Sequence, residues 1–276
     1  MSETYEFVLG SVEADVVGQA LGVDVRRFPL RLRNTTTDPA RRVRLTAIVG
    51  QRLAERGLST GTALHPSLRT TFGLFADFRV SVAISGVDGF GSDIAVLALT
   101  DGAQALGVTQ HAGADELLFS LFSDDELVEV LSGVLPQMPP APGSTVTVRG
   151  RVTEHATAWD ARKAAERAED EEETSAFGNL EVVGTVDAPR PQRRGYRMGD
   201  EDRLRLALSG RRLGGGHITV DGRGDTGSQS LSWLDTEEGR YLVHAERSQG
   251  ECVATYEPAG RAEVARAIRE TLARAY

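Results

Sequence analysis

The chain has 276 residues, 40% of them hydrophobic and 26% charged, a globular balance with room for one large domain or two ordinary ones. A formal net charge of −9 sets it against phosphate backbones and argues against nucleic acid as its main partner. Cys252 is the only cysteine, which excludes an internal disulfide framework and a cysteine-based zinc site.

The opening MSETYEFVLG has neither a basic n-region nor a long apolar h-region, so a non-exported chain is expected. No run reaches the ~18 apolar residues of a membrane span, so no membrane insertion is expected either. Tyr5 to Leu9 reads as a strand and Val12 to Leu21 as a weak helix stopping at Gly22. Phe28 to Leu32 alternates apolar residues with arginine, as a short strand would. Asp38-Pro39 opens a helix, with Asp as N-cap and Pro in the first turn. Leu45, Ile48, Val49 and Leu53 give it one apolar face, and Gly57 stops it. A further helix spans about His65 to Phe75. Phe78, Val80, Val82 and Ile84 then alternate with Arg79, Ser81 and Ala83, the period of a strand with one buried face. The glycine-rich loop Ser85 to Asp93 follows, carrying Phe90. Ile94 to Leu99, Ala103 to Gln110 and Glu116 to Phe122 complete four strands, with Asp101-Gly102 as a turn. Ser123 to Glu126 matches a capping box for a helix bearing Leu127, Val130, Leu131 and Val134.

Pro136 to Ser144 is a proline-rich connector. Thr145 to Val148 is a possible strand. The acidic run within Ala165 to Ser175 reads as a solvated helix end or loop, or else as a docking site for a basic partner. Glu201 to Leu208 is helical, with Leu204, Leu206 and Leu208 as core candidates. Strands follow at His217 to Val220, Ser230 to Leu234, Arg240 to Ala245 and Cys252 to Tyr256. The last helix presents Val264, Ile268 and Leu272. The second half thus repeats the first in pattern, not in letters, at an offset of roughly 135 to 140 residues. That implies an α+β fold, a pseudo-twofold repeat with a central antiparallel β-sheet flanked by two helical bundles. Its halves would be about 1–135 and 145–276, joined by 136–144.

No catalytic constellation stands out. His65, His111, His155, His217 and His244 show no metal-ligand spacing. His217 and His244 fall in expected strands and could approach each other. The run Gly210 to Val220 leads from a helix into a strand, the wrong order for a P-loop, and reads as a helix cap plus loop. Cys252 reads as an inert thiol in a strand. Asp235, Glu237 and Glu238 cluster at a hairpin turn, where solvation is the simpler role and acid–base work the alternative. No catalytic, cofactor or metal residue is assigned, and no cofactor is expected.

FPLRLRN (Phe28 to Asn34), the arginine-rich helix and DFRVSVAISG resemble the N-terminal half of the EspG family. GGGHITVDGRGDTGSQSLSWLDTEEGRYLVHAER and CVATYEPAGRAEVARAIRETL resemble its second half. The resemblance spans nearly the whole chain, thinning between about Arg149 and Met198. It implies one EspG-like domain of two pseudo-symmetric halves. It also implies a cytosolic chaperone of type VII (ESX) secretion in actinobacteria, where high-GC coding fits the arginine-for-lysine bias. Such a chaperone binds the apolar helical tip of a PPE-like substrate, usually paired with a PE protein, keeps it soluble and directs it to export. The implied partner surface includes Ser85, Gly86, Val87, Asp88, Gly89, Phe90 and Gly91. Trp233 and Tyr241 in the hairpin Ser230 to His244 serve either as core or as client platform. Phe90, in a glycine-rich loop, is poorly placed for a core and suits an interface. Two other readings stay open: a small-ligand-binding or enzymatic α+β domain, and an interaction scaffold working through its acidic segment.

Overall fold

The computed structural model describes residues 4–36, 38–60, 63–151, 198–223, 227–248 and 251–276. In chain order they form β1 (Tyr5–Gly10), α1 (Ser11–Ala20), α2 (Pro39–Glu55), α3 (Pro66–Ala76), β2 (Val80–Val87), β3 (Asp93–Thr100), β4 (Gln104–His111) and β5 (Glu116–Ser123). Then come α4 (Leu127–Val134), β6 (Val146–Arg151), α5 (Asp200–Ser209), β7 (Arg212–Gly222), β8 (Gln229–Thr236), β9 (Gly239–Ser248), β10 (Glu251–Pro258) and α6 (Arg261–Ala275). The fold is α+β, and every strand pair whose register is resolved is antiparallel. Among the described residues no helix is long and apolar enough to cross a membrane.

The chain divides into two compact units, and it passes between them within β7 and β8. The first comprises Met1–Gln137, His217–Leu231 and Arg261–Tyr276. Its strands pair in the order β1-β5-β4-β3-β2, followed by its portions of β7 and β8. Helix starts follow the letters. Asp38 Oδ1 accepts the Arg41 backbone N–H at 2.8 Å, Pro39 opens α2, and Gly57 takes φ +70° just beyond its end, the left-handed stop that glycine permits. Pro66 opens α3, which buries Leu68, Phe72 and Phe75. Phe72 and Phe7 stack on Phe119 at 6.0 and 5.0 Å. The core between these helices and β3 to β5 gathers Leu9, Leu97, Leu99, Leu106 and Leu117.

Several expectations are corrected in this unit. Phe28 to Leu32 is not a strand but irregular chain with a turn at 28–29. Pro29 and Leu30 are both buried, Leu32 is half-buried and Phe28 stays exposed, so the alternation of letters is not an alternation of burial. β2 is buried on both faces, Ser81 and Ala83 as well as Val80, Val82 and Ile84, so the antiparallel sheet is covered on both sides at this strand. It also runs on to Val87, so the expected loop shrinks to Asp88–Ser92. Ser123 caps nothing with its side chain. It is still paired with Gln104 as the last residue of β5, and a single 3₁₀ turn, Asp124–Glu126, leads into α4. Asp124 is held instead by the Thr100 hydroxyl and by the Tyr276 hydroxyl at 3.0 Å. α4 buries Leu127 and Leu131 and packs against α6, which buries Val264, Ile268 and Leu272.

The second unit comprises Met138–Gly216 and Ser232–Gly260. Its strands follow the order β7-β8-β9-β10-β6. Leu204 and Ala207 of α5 join Tyr241, Val243, Ala254 and Tyr256 in its core. Leu206, expected in that core, is exposed, because it lies two positions from Leu204 and so on the other side of the helix. The glycine run is strand, not loop: β7 begins at Arg212. At Gly215 a Cβ would lie 3.0 Å from the Trp233 backbone oxygen, so glycine admits β8 at close range.

Candidate partner-binding surface

The β2–β3 hairpin closes on Asp88-Gly89-Phe90-Gly91. Asp88 begins the turn and accepts two backbone N–H groups on one carboxylate oxygen, from Phe90 and Ser92, each at 2.8 Å. Gly91 N–H donates to the Asp88 carbonyl at 3.0 Å, and Asp88 N–H donates to the Ser92 carbonyl at 3.0 Å. Gly91 takes φ +79°, the geometry of a turn followed by a glycine bulge. These four hydrogen bonds fix the turn through Asp88 while the Phe90 ring is 96% exposed. Val87 beside it is 37% exposed. Ser85 and Gly86 are half-buried strand residues, paired with Ala95 and Ile94. A rigid turn that holds an aromatic ring in water carries the desolvation gain needed for a partner and loses little entropy on docking.

The β8–β9 hairpin inverts that arrangement. Thr236 and Gly239 pair across the two-residue turn Glu237-Glu238. The Thr236 hydroxyl donates to the Gly239 carbonyl at 2.9 Å and accepts the Glu238 N–H at 3.2 Å. Trp233 is fully buried and Tyr241 is 3% exposed, its ring edge-on to Tyr256 at 6.2 Å. Burial pushes the Tyr241 hydroxyl pKa up, with the carboxylates of Glu238 and Asp200 adding to the effect. Tyr241, paired with Leu234, joins the core of the second unit, and Trp233, paired with Leu242, is buried on the opposite face of the hairpin. Asp235, expected to be solvated, is buried. Arg240 stands directly opposite it and reaches it bidentately, Nε to Oδ1 at 2.6 Å and Nη2 to Oδ2 at 2.7 Å. The signal was present in the letters: opposite charges flanking a two-residue turn face each other across the strands. Glu237 and Glu238 remain exposed.

The other candidates do not assemble. His217 is half-buried in β7, where burial lowers its pKa, and His244 is exposed in β9. Cys252 lies in β10, with its backbone opposite Arg247 and Gly150. Among the described residues no group of three or more His, Cys, Asp or Glu is placed to hold a metal. His155 and the acidic run within 165–175 lie outside the described residues.

Comparison with known proteins adds two findings. The model of the family described as EspG family matches residues 11–270. Among solved structures, the chain is similar to the type VII secretion system chaperone EspG5 of Mycobacterium tuberculosis, whose structure was determined in complex with a PE25–PPE41 dimer. The TM-score is 0.61 at 11% identity, covering 99% of this chain and 97% of that one. No curated protein sequence matches.

Proposed function

We propose, for a chain that belongs to the EspG family, that it is a non-enzymatic cytosolic chaperone of a type VII secretion system. It binds the apolar helical tip of a PPE-like substrate, alone or paired with a PE-like protein, keeps it soluble and directs it to export. The observation that carries the reading is Phe90, held 96% exposed on a turn fixed by four hydrogen bonds to or from Asp88. An apolar helix end would cover that ring together with Val87 and the glycines beside it. The neighbouring chaperone structure, with a PE–PPE dimer bound, supports the choice of client class.

The finer architecture belongs to the same proposal. The first-half strands pair as β1-β5-β4-β3-β2 and the second-half strands as β6-β10-β9-β8-β7. Each half sends a strand first to its outer position, then lays down four more in sequence, then a helix. This supports one domain of two pseudo-symmetric halves, about 1–135 and 145–276, joined through 136–144, with a helical bundle attached to each.

The test is co-expression with PE/PPE-like helical substrates of the same genome, followed by affinity capture and size-exclusion. A client that is insoluble alone and elutes in a defined complex with this protein supports the reading. Failure to capture any such client, with the protein folded, overturns it.

A further inference from the structure

Helix α2 is incompletely covered. Its sequence offers Leu45, Ile48, Val49 and Leu53 as one apolar face, yet only Val49 and Leu53 are buried. Ile48 is 51% exposed and Leu45 is half-buried. Together with Val12 of α1 they floor an open groove of about 380 Å³, whose far wall is Asn34 to Thr36. That wall is fixed in place. The Thr35 hydroxyl donates to buried Asp15 at 2.6 Å, and Arg26 donates to the Asn34 side-chain oxygen at 2.8 Å. Arg41 and Arg44 complete the groove. Residues 41, 44, 45 and 48 are spaced i, i+3, i+4 and i+7, one stripe along the helix. Arg42 is engaged by Gln19, and Arg56 by Glu13 at 3.0 Å. Among the described residues Arg41 and Arg44 have no side-chain hydrogen bond or ion pair. Two unpaired guanidinium groups thus stand over an apolar floor on a chain of net charge −9.

We propose that this groove is a second docking surface, for a separate acidic peptide helix that also carries aliphatic side chains. Carboxylates one turn apart reach Arg41 and Arg44, and the aliphatic groups of the next turn settle on Val12, Leu45 and Ile48. Guanidinium groups match carboxylates bidentately. The floor is aliphatic and offers no ring on which a base could stack, which favours a peptide over a nucleic acid. The surface is independent of the Phe90 turn and of the client reading.

The probe is a dye-labelled helical peptide with Glu at i and i+3 and Leu at i+4 and i+7, followed by fluorescence anisotropy with the full chain. Saturable binding is expected, weakened by about tenfold or more in Arg41→Glu/Arg44→Glu. A similar weakening is expected in Ile48→Asp, with each variant checked for an unchanged unfolding midpoint. Phe90→Asp is expected to bind the peptide normally. The proposal is overturned if the wild type does not bind, or if the Gln version of the peptide binds equally well. It is also overturned if single-stranded DNA of the same charge competes more strongly, if deleting 166–174 tightens binding by freeing an occupied groove, or if the arginine variants change the oligomeric state instead.

Discussion

The β2–β3 and β8–β9 hairpins look alike as letters: apolar strands, a short turn with Asp and Gly, and an aromatic residue close by. They put that aromatic to opposite uses. In the first, Asp88 spends its carboxylate on turn amides and Phe90 is left in water. In the second, Asp235 turns inward to Arg240, with Trp233 buried on the same face and Tyr241 buried on the other. The first hairpin is a presented surface on a self-sufficient turn; the second is core whose turn depends on a buried ion pair. What separates them is the cross-strand partner of the aspartate, since β9 supplies an arginine opposite it and β3 does not.

This contrast is breakable in order of effect. Arg240→Ala leaves the Asp235 carboxylate buried without its guanidinium, a loss of about 3–5 kcal/mol of stability. The urea midpoint of the full chain should fall sharply, and an unchanged midpoint would show that the pair contributes nothing. Phe90→Asp should leave that midpoint where it is, within about 0.5 kcal/mol. It should weaken client capture by about tenfold or more, and undiminished capture would remove the turn from the client surface. Asp88→Ala frees two turn amides and should cost about 1 kcal/mol, with a smaller loss of capture as the ring is held less firmly.

The smallest effect is alkaline. Tyr241 has a folded pKa raised above the ordinary 10.0 by burial. The stability it contributes is therefore fully present below that value and is lost as pH rises through the folded pKa. Tyr241→Phe should flatten the alkaline limb of a stability profile, and a limb of equal slope would place the ionising group elsewhere.

Period and punctuation made most elements legible. Asp38-Pro39, the alternation through Val80 to Ile84 and the Val264, Ile268, Leu272 stripe each lie where the letters put them. The misreadings have physical causes. Gly214 to Gly216 lacks side chains to show a period of two, and at Gly215 a Cβ would sit 3.0 Å from the neighbouring strand. Charged residues at a turn default to solvent in any reading of composition, which hid the burial of Asp235. Amphipathic spacing in α2 marked an apolar face without saying how much of it the fold would cover, so the groove beside Ile48 was invisible. The Phe90 turn was legible because a bulky apolar residue among glycines has nothing local to pack against.

Arg240 has a further consequence through its backbone. Its N–H donates to the Pro139 carbonyl at 2.9 Å, and its carbonyl accepts the N–H groups of Ala141 and Ala259 at 3.1 and 3.0 Å. One residue therefore stitches the proline-rich connector, the start of β9 and the end of β10. Gly239 beside it, at φ +128°, lets the connector pass so closely that a Cβ would lie 2.7 Å from Ala141 N. In amide hydrogen exchange the N–H groups of Arg240, Ala141 and Ala259 should then behave as a single kinetic class. Segments far apart in sequence would open together in one sub-global event, and their shared exchange rate would serve as a clock for the release of the connector.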